Sequence, residues 1–150
     1  MLNYKEISKV IATVFYIGYI PYAPGTCGSL AAFIVVWVFK PDNLWLVILL
    51  ISCFTAGVIS AYLVEKELEQ KDSPKIVIDE FVGYIVSIAF LPLTFGYLIS
   101  AFVLFRFFDI LKPIPIRNIE KHFHGGLAIM LDDVAAGIIT NIILQGWRII

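Results

Sequence analysis

The sequence predicts an all-α fold: a compact multi-helix integral membrane protein with re-entrant or tilted helices, built as one domain over residues 1–150. Three observations lead there. Of the 150 residues, 60% are hydrophobic and 15% charged, against roughly 45–50% and about 25% in a soluble domain, so polar surface is scarce for a particle of this size. Mean hydropathy is +0.90. Two long runs carry no charge, Leu44–Val64 with 21 residues and Phe81–Phe105 with 25. The length suits one domain and leaves no room for a membrane anchor plus a separate globular enzyme. Any chemistry must therefore be built into the membrane region.

Eleven Lys and Arg against twelve Asp and Glu leave a net charge of −1, which gives no reason to expect DNA or RNA as a partner. Cys27 and Cys53 lie far apart, one in a glycine-rich segment and one inside an apolar run, and form neither a disulfide framework nor a metal motif. They read as small buried hydrophobes. The opening MLNYKEISKVIATVFYIGYI has a basic start but carries Glu6 and no small-residue cleavage site, so it does not read as a removed signal peptide.

In chain order, Ser29–Phe39 is apolar but short, and Lys40-Pro41-Asp42-Asn43 breaks it from Leu44–Val64 as a tight turn. The latter run spans about 31 Å as a helix, the thickness of a bilayer core. The two form a helical hairpin. Glu65–Lys75 is the most polar stretch, a solvated loop or helix end stopped by Ser73-Pro74. Phe81–Phe105, interrupted by Pro92 and by Thr94-Phe95-Gly96, is either one kinked span or two short helices. From Arg106 to Gly126 polar character returns, with Pro113 and Pro115 expected to force an extended turn. Leu127–Trp147 is apolar except for Asp132 and Asp133.

Basic residues favour the cytoplasmic side of a span. Lys66, Lys71 and Lys75 flank one break, and Arg106, Lys112, Arg117 and Lys121 fill another. Both segments are then cytoplasmic only if 81–105 turns back on itself, since half-helices of 11–12 residues reach only about 17 Å.

Four clusters could carry chemistry. Pro24-Gly25-Thr26-Cys27-Gly28-Ser29 precedes an apolar helix and suits an anion cradle, although it is equally an ordinary turn with a Ser/Thr N-cap. Asp79-Glu80 opens a hydrophobic run, either as favourable charge at a helix N-terminus or as a site, with Asp79, Gly83 and Ser87 on one stripe. Arg106 and Asp109 stand three apart, a simple ion pair at minimum, and Lys112 follows within one turn; together they suit a phosphate monoester. Gly125-Gly126 leads to Asp132-Asp133 inside an apolar helix, where acids are expected to be functional. Asp133, Gly137 and Asn141 share a stripe. Five carboxylates in such surroundings need a cation, and hard oxygen ligands without supporting soft donors favour Mg²⁺. The His122-x-His124 pair has nothing soft beside it and reads as a solvated or headgroup contact.

At these residues the sequence resembles the phosphatidylglycerophosphatase A family of bacterial Mg²⁺-dependent lipid phosphatases. The blocks are Pro24-Gly25-Thr26 with Gly28-Ser29, Asp79-Glu80 with Gly83, Phe105-Arg106 through Lys112-Pro113-Ile114-Pro115-Ile116, and Gly125-Gly126 through Asp132-Asp133 with Ala136-Gly137. They stand in the family's order across residues 24–137. Ala128 departs from the family pattern, which has glycine there, and the glycine-rich approach to the first block is reduced to Gly18 with Tyr19 and Ile20. The resemblance implies hydrolysis of the terminal phosphate of phosphatidylglycerophosphate, a phospholipid substrate in the bacterial inner membrane, and an active site facing the cytoplasm. On that basis Asp79, Asp132 and Asp133 are expected to ligate Mg²⁺, with Glu80 and Asp109 as outer ligands or general bases. Thr26, Gly28, Ser29, Arg106 and Lys112 are expected to hold phosphate oxygens.

An ion-coupled transporter or channel subunit is the alternative, but its acids would trace a path across the bilayer instead of clustering with Arg, Lys and a glycine loop. The Asp-Gly and Ala-Arg pattern of a phosphatidyltransferase, the Lys/Arg and His blocks of vanadium-phosphatase-like enzymes and the Asp-x-Asp opening of haloacid-dehalogenase phosphatases do not occur at these positions.

Overall fold

The computed structural model describes residues 3–71 and 73–149, without the side chains of Pro115, Ile119, Glu120 and Lys121. Lys121, counted above among the basic residues, therefore lies outside the described side chains. Among the described residues seven α-helices follow one another: α1 (Tyr4–Ala12), α2 (Pro24–Phe39), α3 (Asn43–Leu68), α4 (Ile78–Ile88), α5 (Phe95–Leu111), α6 (Ile114–His122) and α7 (Gly126–Ile149). No strand occurs among the described residues.

Local chemistry sets the helix ends. Asp42 Oδ1 accepts from the Trp45 amide at 3.0 Å and caps α3; the Thr94 hydroxyl accepts from the Tyr97 amide and caps α5. Helix α2 begins at Pro24, earlier than the sequence suggested, because proline at the first position has its φ set and lacks only an amide that the helix would leave unpaired. The segment 24–29 is thus a helical turn, not a loop. The expected extended turn after Lys112 is likewise corrected: α6 is helical from Ile114, with Pro115 in its first turn, where proline breaks no intrahelical bond.

Helices α3 and α7 are long and apolar enough to cross a membrane, by length and composition. Much of α3 faces outward, with Leu44, Trp45, Ile48, Ile51 and Ile59 exposed; half of α7's apolar window is buried inside the protein. Outside the spans, the hydrogen bond from Lys9 Nζ to Glu67 Oε1, 2.9 Å long, ties α1 to the end of α3 and holds the Lys9 ammonium above the ordinary lysine range.

At the centre lies α4, packed against α7, α2, α3 and α5. Nine of its eleven residues are buried, Asp79 among them, as an all-round apolar helix requires. Close approach to α7 depends on two glycines. A Cβ on Gly83 would stand 2.6 Å from Phe105 Cε2 and 2.8 Å from the Asp133 carbonyl oxygen, and one on Gly137 would collide with the Gly83 carbonyl. The stripes Asp79-Gly83-Ser87 and Asp133-Gly137-Asn141 therefore face each other.

The run 81–105 resolves into two helices, and the second is longer than the half-helix expected: the 17 residues of α5 span about 25 Å. Glu80 Oε1 lies 3.9 Å from Arg106 Nη1, so α5 brings the chain back to the level at which α4 began. The Tyr84 hydroxyl donates to the Leu98 carbonyl at 3.0 Å and pins this hairpin internally.

Candidate active site

The N-termini of α2 and α4, the last turns of α5 and the second turn of α7 meet at one end of the bundle. Because α7 begins at Gly126, Asp132 and Asp133 fall inside it and are each 4% exposed. Gly126 permits this start: a Cβ there would strike the Val58 carbonyl and lie 2.7 Å from the Tyr62 amide nitrogen, so only glycine lets α7 begin against α3.

One carboxylate oxygen each from Asp79, Glu80 and Asp133 lies within 4.8 Å of the others. Among the described residues, Asp79 Oδ1, Glu80 Oε2, Asp133 Oδ2 and Arg106 Nε are buried without a hydrogen-bond partner. Two unit charges at that separation of 4.8 Å repel by about 3–4 kcal/mol at an effective dielectric of about 20. Such an arrangement can bind a metal ion, which would supply both the missing contacts and the opposing charge.

The expected ligand set was Asp79, Asp132 and Asp133. In the structure Asp132 Oδ2 accepts from Lys112 Nζ at 3.2 Å, and Glu80 stands with Asp79 and Asp133 in the carboxylate group. Arg106 is paired with Asp109 through Nη1 and approaches Glu80. Lys112, the C-cap of α5, has φ 42°, a left-handed conformation that turns the chain sharply into α6.

The first block divides. A Cβ on Gly25 would overlap Glu80 Oε1 and lie 3.3 Å from Arg106 Nη1, so the N-terminus of α2 abuts the carboxylate group. Thr26 is half-buried in that same turn. Ser29, fully buried, donates to the Gly25 carbonyl at 3.0 Å, and Gly28 makes room for Val77, whose carbonyl oxygen a Cβ would meet at 2.8 Å. These two positions therefore shape the helix contact.

A cavity of about 270 Å³ opens over the acids, with Asp79, Asp132, Asp133 and Lys112 in its wall. Glu65, Lys71 and Phe123 also line it, although the sequence puts the first two in a solvated segment. Their one signal was position, Glu65 being the first charge after the 21-residue apolar run. His122 and His124 are exposed, each with Nδ1 donating to a nearby backbone carbonyl. The cysteines are free and half-buried.

Residues 10–148 match the family model of phosphatidylglycerophosphatase A. The chain belongs to that family. Phosphatidylglycerophosphatase A of Haemophilus influenzae is 40% identical over 147 residues, covering 93% of this chain and 90% of its own. Phosphatidylglycerophosphatase A of Escherichia coli is 39% identical over 139 residues, covering 90% and 80%. A Bacteroides thetaiotaomicron protein named "Putative phosphatidylinositol-3-phosphatase" is 38% identical over 145 residues, covering 90% and 89%. No solved structure matches the chain.

Proposed function

We propose that this chain hydrolyses the terminal phosphate monoester of phosphatidylglycerophosphate, releasing inorganic phosphate and leaving phosphatidylglycerol, with Mg²⁺ as cofactor and at the cytoplasmic face of the bacterial inner membrane. The observation that carries it is the convergence of unpartnered Asp79, Glu80 and Asp133 oxygens beside Arg106 and Lys112. The names of two relatives support the same reaction. A transporter is disfavoured because these acids gather at one end of α4 and do not follow a path along it.

Phosphoryl transfer is mostly a matter of position and charge, since the displaced group must leave in line with the attacking oxygen. Asp79, Glu80 and Asp133 would hold the cation; Mg²⁺ there would neutralise phosphate oxygens and charge developing on the leaving oxygen. Arg106, steadied by Asp109, offers a planar pair of donors to the phosphate. Lys112, steadied by Asp132, offers a compact charge from the facing wall. The first-turn amides of α2 at Gly25 and Thr26, which have no intrahelical acceptor, add donors where that helix meets Glu80. Ser29 and Gly28 act indirectly, by keeping that turn against α4.

A second reading follows from the Bacteroides relative, whose name specifies a phosphoinositide. Both substrates present a phosphomonoester on a lipid headgroup, and the carboxylate site serves either. Phosphate release from phosphatidylglycerophosphate and from phosphatidylinositol 3-phosphate, each with Mg²⁺ and with excess chelator, separates them. The proposal expects fast Mg²⁺-dependent release from the first lipid; full turnover in chelator would remove the metal, and preference for the inositol lipid would exchange the substrate.

A further inference from the structure

The cavity over the carboxylates has more walls than phosphate hydrolysis requires. Its volume of 270 Å³ approaches the roughly 300–1,000 Å³ of sites that enclose a whole small molecule. Arg106 lies against Glu80 and Asp109, and Lys112 against Asp132, so both cations stand beside the carboxylates at the base of the cavity. Lys71 lines the same cavity from a different element, the segment that links α3 to α4, and Glu65 of α3 lines it too. Glu65 Oε2 lies 4.0 Å from where a Cβ on Gly125 would stand.

Phosphatidylglycerophosphate carries two phosphates. The monoester is cleaved, whereas the diester joins glycerol to the lipid and remains in the product. With the monoester on the floor, the diester extends toward the cavity mouth, where a second anion calls for a second cationic contact. Resting on the reaction proposed above, we infer that Lys71 binds the bridging phosphodiester of the substrate and sets the preference for lipid over simple phosphate monoesters. Lys71 takes no part in bond breaking.

The test is steady-state kinetics of the full chain in neutral mixed micelles, comparing the parent with Lys71→Ala and Lys71→Arg. Lys71→Ala should raise KM for phosphatidylglycerophosphate about tenfold, the size of one charge-assisted contact, with kcat within about twofold. The inhibition constant of the product phosphatidylglycerol, which retains only the diester, should rise by the same factor. That of inorganic phosphate, which fits the floor, should stay put, and Lys71→Arg should restore most of the loss. An unchanged KM, a loss confined to kcat, or an equal weakening of inorganic phosphate would each overturn the assignment. A parent protein that releases no phosphate from the lipid would instead overturn the reaction itself, and Lys71 with it.

Discussion

At the C-terminal end of α4, the carbonyls of Ser87 and Ala89 accept from the Asn141 side-chain amide at 3.1 and 2.9 Å, Gln145 donates to Ala89 at 3.3 Å, and Arg148 reaches the Phe90 carbonyl at 3.2 Å. At its N-terminal end, Asp79 Oδ1 and Glu80 Oε2 have no hydrogen-bond partner among the described residues, and neither has Asp133 Oδ2 on the facing helix. The same two helices, α4 and α7, make both ends. Each orphaned buried polar group costs about 1–3 kcal/mol; at one end side-chain donors meet the free carbonyls, while at the other these three oxygens stay unpaired even with Arg106 and Lys112 nearby. The closed end joins α7 to the last carbonyls of α4, which have no intrahelical partner. The open end could hold a metal ion.

Charge removal at the open end should have the largest effect. Asp133→Asn and Asp79→Asn are each expected to lower kcat on the phosphomonoester lipid by at least about a hundredfold, a transition-state loss of about 2.7 kcal/mol. Their helical content should be retained, and added Mg²⁺ should recover part of the rate. Near-normal turnover by both variants would reduce the open end to a structural peculiarity.

Between the two ends lies the glycine contact. Gly83→Ala would force Phe105 or the Asp133 backbone aside and should cost about 1–3 kcal/mol. Because the displaced helix carries Asp133, metal affinity should weaken together with stability. A variant that loses thermal stability yet keeps its Mg²⁺ dependence unchanged would separate the glycine contact from the site.

At the closed end, Asn141→Leu withdraws the donor from the Ser87 carbonyl while Gln145 still reaches Ala89. Side-chain hydrogen bonds between membrane helices average only about 0.6 kcal/mol, up to about 1.7, so a fall of a few degrees in melting temperature is expected, with kcat within about twofold. An activity loss as large as that of Asp133→Asn would show that the two ends are not separate in function.

The facing stripes were legible in the sequence because i, i+4 spacing alone puts Asp79, Gly83 and Ser87, and Asp133, Gly137 and Asn141, on single faces. Adjacent residues were harder. Asp132 and Asp133 sit about 100° apart around the helix, so only one can face α4, and nothing local reveals which. Asp133 does, leaving Asp132 for Lys112. Glu80 stands in the carboxylate group beside its sequence neighbour Asp79, as the pair suggested, whereas its 3.9 Å approach to Arg106 is a long-range fact that no spacing encodes. The prolines at 113 and 115 misled for a simpler reason: proline breaks a helix interior but fits just before a helix, as Pro113 does, or in its first turn, as Pro115 does, and the pattern does not say where a turn begins.

The smallest effect is expected from a glycine on the same helix but away from both ends' contacts. A Cβ on Gly146 would meet nothing within 4 Å, whereas one on Gly137 would strike the Gly83 carbonyl and one on Gly126 the Val58 carbonyl. Gly146 has helical backbone without a positive φ, so alanine adopts its conformation without strain and restricts the unfolded chain. Gly146→Ala should therefore leave kcat and KM unchanged and add at most about 1 kcal/mol of stability. Measured beside Gly137→Ala, which should lower the melting temperature, it separates the cost of crowding α4 from the propensity change common to every glycine on α7. If Gly146→Ala destabilised the protein as much as Gly137→Ala, close approach of α4 and α7 would no longer explain why glycine stands at position 137.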